Sequence, residues 1–387
     1  MQDRTWEAQG KLEELRLQHN LLSSLSNLTF EGLAGLRLLD LSDNMLASLP
    51  GDVFLPLVRL ETLGLGSNRL SVLEAGAWAG LASLSSLALE RNLLSSLPPG
   101  LPSSLTALGL SDNLLSLVTR EHLTLSSLVA LDLAGNPKLS LSSDVFSSLP
   151  SLSRLSLARC SLAALPPALC SLTSLSSLSF SGNPLPSLLL PSLCPLPHLR
   201  ELEATHCPSL STVHLALPSI RVLRLSSNPV LTDLSLEQAP SLLHLNLSHC
   251  SLSSLALPPT PSLESIDLHH NPWHCSCLLE PLQALLLNLS SPPLACLSPS
   301  SLEGSNFLSL DLFHCSKAPS PSSLEQGLPN PLLFSILFIL SSSLTLAGVL
   351  VWLFRGKLRE VFKVRTSLTT APYNQTPDLS PVSSRTM

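Results

Sequence analysis

The residues in this chain best equipped for chemistry are its nine cysteines. Four of them, Cys275, Cys277, Cys296 and Cys315, follow the spacing C-x-C-x18-C-x18-C. His269, His270 and His274 stand just ahead of the first, so a zinc site and a set of disulfide bridges are the two readings. Structural zinc sites space their ligands differently, which favours bridges and leaves the histidines as solvated turn residues. No GxSxG elbow, phosphate loop or HExxH motif is present, and serine is too abundant for any Ser/His pairing to carry meaning. The chain is therefore read as non-enzymatic, with no catalytic, cofactor or metal site. Function has to come from surface.

The elements that position that surface repeat. The frame LxxLxLxxN of Leu36–Asn44 returns with its first residue at Leu12, Leu36, Leu60, Leu84, Leu105, Leu128, Leu152, Leu175, Leu199, Ile220, Leu242 and Leu263, in steps of 21 to 24 residues. Apolar residues at positions 1, 4 and 6 point inward and the residues between them face out along one short strand. One copy cannot bury its leucines, but stacked copies make a continuous core. This is the leucine-rich repeat. The fold expected is an α/β solenoid, a horseshoe of short parallel strands. The last frame position holds Asn in nine copies and Cys160, Cys207 or Cys250 in the other three. A buried amide there satisfies turning backbone, and cysteine fits the slot as a compact filler. Eighteen residues after a frame start lie Phe30, Phe54, Trp78 and Phe146, an aromatic spine opposite the strands. The repeats starting at Leu84, Leu199 and Leu242 span only 21 residues and are proline-rich, predicting extended convex segments.

Charged content of 12% and aromatic content of 4% are low for a globular enzyme. A net charge of −6 without basic clusters before residue 355 argues against a nucleic-acid partner. Residues 1–11 contain no apolar leader and no cysteine-bearing cap. Either Asp3–Gly10 improvises a cap or the chain begins inside a longer protein, and the second reading is preferred because terminal repeats need capping. The repeats run over 12–271, a cysteine-rich segment over 272–315 and a Ser/Pro stalk over 316–331. Residues 332–354 are uncharged, long enough for one transmembrane helix. Arg355, Lys357, Arg359, Lys363 and Arg365 follow at once, so the tail 355–387 is expected in the cytoplasm and the repeats outside, as in a type I cell-membrane protein. Sequons at Asn27, Asn246 and Asn288 fit that topology.

Residues flanking frame positions 4 and 6 face the inner wall of the solenoid. Its middle is Gly, Ala and Ser, without the aromatic anchors of tight interfaces. Either this wall is inert or its contacts use the charged strip Glu201, Glu203 and Arg224. Five cysteines lie outside the cysteine-rich segment. Cys160, Cys207 and Cys250 sit in the asparagine slot, and Cys170, eighteen after Leu152, falls on the spine register and is expected buried. Cys194 lies one residue beyond a spine slot that Leu193 fills. It is either exposed, free or paired with another protein, or bridged to Cys170 in the adjacent turn.

From Asn271 the run NPWHCSCLLEPLQALLLN with the later cysteines resembles the disulfide C-terminal cap of extracellular leucine-rich repeat proteins. That resemblance implies bridges Cys275–Cys296 and Cys277–Cys315. Repeats, cap, stalk, one span and a 33-residue tail, too short for a Toll-type signalling domain, resemble a single-pass extracellular leucine-rich repeat receptor. Within that class the 21-residue variants and the lone cysteines are most similar to the group of the transforming-growth-factor-beta activator GARP and negative regulator of reactive oxygen species. The resemblance covers about residues 12–360. It implies a receptor that tethers a secreted latent growth factor of the TGF-beta type through a disulfide, with Cys194 the residue carried over to that role. Other readings are an adhesion or co-receptor protein that binds reversibly, and a Toll-like accessory receptor lacking a signalling domain.

Overall fold

A computed structural model describes residues 5–190, 196–289 and 291–310. All of these fall in one compact unit, Met1–Ser316. The expectations placed on Cys194, Cys315, the stalk, the span and the tail lie outside the described residues.

Twelve strands form one parallel sheet in strict chain order, from Glu14–Arg16 to Ser265–Asp267. Each is three residues long and centred on frame position 4, so Leu15 pairs with Leu39, Leu178 with Leu202 and Leu245 with Ile266. Strands this short cannot stand alone; the twelve-strand ladder and the leucines behind it hold them. Leu36, Leu39 and Leu41 are fully buried, as are Leu60, Leu63 and Leu65 one turn on. Phe30 and Phe54 stack with ring centroids 5.9 Å apart, and Trp78 and Phe146 continue the spine.

The asparagines close each turn. Nδ2 of Asn92 donates to the carbonyls of Leu65, Leu89 and Glu90, while its Oδ1 accepts the N–H of Leu70 in the preceding turn. Asn44, Asn68, Asn113 and Asn136 repeat this pattern, each accepting from a leucine N–H one turn earlier. Asn20, in the first turn, is exposed and bonds only to Leu17 and Gln18 of its own turn.

Two expectations are corrected and a third is extended. The label α/β gives way to a parallel-strand β-solenoid. Among the described residues the side opposite the strands is short 3-10 turns and extended chain, and the single α-helix, Glu280–Asn288, belongs to the C-terminal segment. Repeats of 21 to 24 residues are too short for a helical return. The extended convex chain expected of the 21-residue repeats is present at Thr212–Ala216. It also pairs with segments of longer repeats, in a second parallel sheet made of Ser187–Leu190, Thr212–Ala216 and Asp233–Gln238. Only Thr212–Ala216 of these lies in a 21-residue repeat, and Leu117–Val118 pairs with Ser140–Leu141 likewise. Finally, Cys170 is exposed, not buried. The repeat from Leu152 is 23 residues long, so the turn Pro167–Ser171 delivers Leu169 to the spine, six residues before the next frame, as Phe146 is.

At the N-terminal end Trp6 packs on the core, also six residues ahead of a frame start. A Cβ at Gly32, where φ is +92°, would lie 2.7 Å from Glu7 Cα, so this glycine lets the segment lie flat. At the other end Trp273, Leu279, Leu282 and Leu286 cover the last leucines. Trp273 Nε1 donates to Leu268 O, and buried Gln283 ties the helix to the carbonyls of Phe307 and Leu310. Cys275 is bonded to Cys296 across a Cα–Cα distance of 5.7 Å.

Candidate functional site: the strand face

Because side chains alternate across a strand, the two outer residues of each three-residue strand form one continuous face. Its character changes along the solenoid. The first turns carry self-satisfied charges: Arg16 pairs with Glu14 at 3.1 Å, and beside the face Arg37 pairs with Glu61 at 2.9 Å. Asp40 accepts from the Ser42 amide and hydroxyl and lies against Gly64, where a Cβ would come within 2.8 Å of its Oδ1. Gly66 makes room in the same way for the Glu90 carboxylate.

The middle is a shallow hollow of about 430 Å³, floored by Ala88, Ala107, Gly109 and Ala130 and edged by Asp132 and Arg154. Small side chains expose the ladder here, and Asp132 spends one oxygen on the Ala134 amide. Sequence reasoning noted the small residues but not the hollow that their stacking creates.

The C-terminal stretch differs. Glu201 and Glu203 flank Leu202 on one strand, with Val222 and Arg224 opposite them in register on the next. Glu201 accepts weakly from Ser177 Oγ at 3.3 Å. Glu203 and Arg224 are direct neighbours, yet among the described residues they make no ion pair, and Arg224 is exposed. Their charges stay available. Next to Arg224 lies Asn246, whose Oδ1 accepts from the Ser248 amide and hydroxyl, so this sequon asparagine is half-buried on the face itself. Asn27 and Asn288 are exposed away from it. A second hollow of about 240 Å³ joins Arg224, His244, Asn246 and Asp267. Burial works against the Asp267 charge, but the hydrogen bond and the charge of His269 at 2.8 Å hold its carboxyl below the usual range.

The cysteines sort by position. Cys160, Cys207 and Cys250 are free thiols buried in the asparagine slot, each donating to a carbonyl of the preceding turn, such as Cys160 Sγ to Leu133 O at 3.2 Å. Burial raises all three thiols, and Cys160 is pushed up to about 11. Cys170 and Cys277 are disulfide-bonded. With Cys275 bonded to Cys296, the cysteines near the three histidines hold disulfides instead of a metal. Among the described residues no group of three or more His, Cys, Asp or Glu is disposed to hold a metal ion, and no helix is long and apolar enough to cross a membrane.

Comparison with known proteins agrees with this architecture. The leucine rich repeat family model matches residues 10–70 and 58–101. The leucine-rich repeat domain of APL1B superposes with a TM-score of 0.58 at 23% identity, covering 74% of this chain and 83% of that one. TLR13 in its complex with ssRNA13 gives 0.55 at 23% identity, covering 80% and 54%. A leucine-rich repeat protein of Leptospira interrogans gives 0.53 at 30% identity, covering 66% of each chain. No curated protein sequence matches. The family model thus matches the first turns of the chain, and the described solenoid shares its fold with the leucine-rich repeat domains of these solved structures.

Proposed function

We propose that the chain is a non-enzymatic, protein-binding receptor of the cell surface, a single-pass type I membrane protein with its repeats outside. Its partner is a secreted or cell-surface protein, captured reversibly on the strand face around Glu201, Glu203 and Arg224. The observation that carries this reading is the unpaired Glu203–Arg224 neighbourhood. Two opposite charges sit in register on adjacent strands without neutralising each other, and such charges set specificity and association rate when a partner supplies the complements. An RNA ligand like that of TLR13 would need a basic strip. Here Arg154 and Arg224 stand singly among carboxylates.

A second reading has the receptor hold a latent growth factor of the TGF-beta type covalently through Cys194. Cys170 and Cys194 both lie five residues before the next frame start, at Leu175 and Leu199. Cys170 is already in a disulfide, which favours reversible binding, as in an adhesion or Toll-like accessory protein. Two measurements test the proposal. Full-length protein on cells is probed with an array of purified secreted and surface proteins, and non-reducing gels of wild type and Cys194→Ser are compared. A partner that washes off without reductant supports reversible capture. A higher-mass band lost in Cys194→Ser supports the tether, and an intracellular, unglycosylated solenoid would overturn both.

A further inference from the structure

Frame position 8, just before the asparagine slot, takes a left-handed backbone in turn after turn. In the last four turns it holds His206, Ser227, His249 and His270, with φ between 56° and 59°. Identical backbone on successive turns makes the Cα–Cβ bonds leave in parallel, and the His249 amide is tied to the His269 carbonyl at 2.9 Å. The rings of His249 and His270 therefore stack, with centroids 4.1 Å apart and planes at 16°. Both side chains are exposed. Beside them the His269 ring lies 6.4 Å from that of His270, its Nδ1 engaged by Asp267.

We infer that His249 and His270 form a two-imidazole site for a borderline divalent transition-metal ion, of the Zn²⁺, Ni²⁺ or Cu²⁺ type. Metal–imidazole bonds of about 2.0–2.1 Å put each ring centroid about 3.2 Å from the ion, so two cis ligands hold their centroids about 4.5–5 Å apart. As stacked, the rings point their in-plane lone pairs side by side. Each imidazole must therefore also swing about its side-chain torsions until the two ring planes meet at the ion, a movement that exposed side chains are free to make. The His249 amide is already tied to the neighbouring turn, so the order lost on binding is that of the two side chains. Water completes the coordination. Hard cations such as Ca²⁺ and Mg²⁺ take oxygen ligands, so a pair of imidazole nitrogens selects against them. The site lies on the turn edge of the solenoid, separate from the Glu203–Arg224 strip, and would clip the two turns together.

The test is a titration of the metal-stripped full-length protein in detergent with ZnCl₂ by calorimetry, together with a Cu²⁺ spin-resonance spectrum. Saturable uptake of one ion per chain is expected, weakened at least tenfold in His249→Asn and in His270→Asn and unchanged in His274→Asn. Asparagine is chosen because it tolerates the left-handed conformation. The wild-type Cu²⁺ spectrum should show coupling to two imidazole nitrogens, a readout that needs no variant to fold. Affinity unchanged in the double variant, or coupling to a single imidazole nitrogen, would overturn the assignment.

Discussion

From Asn44 to Asn136 every turn closes on an asparagine, whereas from residue 160 onward cysteine and asparagine alternate in the same slot. The exchange has a chemical cost, because an amide both donates and accepts while a thiol is a weak donor and a poor acceptor. Asn68, Asn92 and Asn113 each accept a leucine N–H from the turn before. Among the described residues Cys160, Cys207 and Cys250 donate to carbonyls of the turn before but accept no leucine N–H. The turn ahead of each is written differently: Asn136-Pro137, Asn183-Pro184 and Asn228-Pro229. In two of these turns the leucine N–H that follows bonds inside its own turn, Leu139 to Asn136 O and Leu231 to Asn228 O. Proline thus stands in the turn ahead of each cysteine, and in two of the three the leucine amide is satisfied without the cysteine's help. The outer face changes over the same stretch, from small residues to unpaired charge.

If that comparison holds, the two kinds of slot should fail unequally. Asn92→Ala strands the buried Leu70 N–H and three carbonyl bonds, and should lower unfolding stability by about 3 kcal/mol. Asn92→Cys restores a donor but no acceptor and lacks the upstream proline, so a loss of about 2 kcal/mol is expected. Cys207→Ala, by contrast, removes a weak thiol donor shared between the Phe180 and Thr205 carbonyls and a small volume, for about 1 kcal/mol. Urea midpoints of the three variants decide; equal losses at Asn92 and Cys207 would erase the distinction. The smallest effect is a pH dependence. Burial raises the Cys160 thiol from 9.0 to about 11. The unfolded chain then binds fewer protons between these values, so the contribution is whole below pH 9 and declines as pH climbs toward 11. Cys160→Ala should flatten that part of the pH–stability curve.

Much of this was legible in the residues. The frame places all twelve strands, because a three-residue strand has room for only one buried side chain and position 4 supplies it. The asparagine slots follow from the same phase. The second sheet was missed although it carries a signal, the alternation in Thr212–Ala216 and Asp233–Gln238 with Val213, Leu215, Leu234 and Leu236 buried. Cys170 was misplaced because spine positions are set by the distance to the next strand, not from the last one. Contacts reaching across two turns, such as Arg159 to Asp112 at 3.1 Å over Gly135, depend on turn spacing and side-chain reach and leave no local pattern. The hollow over Ala107 and the free charges of Glu203 and Arg224 belong with these, visible only once neighbouring strands are in register.

The most direct test compares the two outer regions on one chain. Full-length Glu203→Lys/Arg224→Glu and full-length Ser86→Lys are each displayed on cells and titrated with the partner that the wild type captures. Reversing the strip should weaken binding at least tenfold, about 1.4 kcal/mol, while Ser86→Lys in the small-residue hollow changes it less than twofold. Undiminished binding by the reversed strip at equal surface display, or a greater loss from Ser86→Lys, would contradict the assignment of the interface.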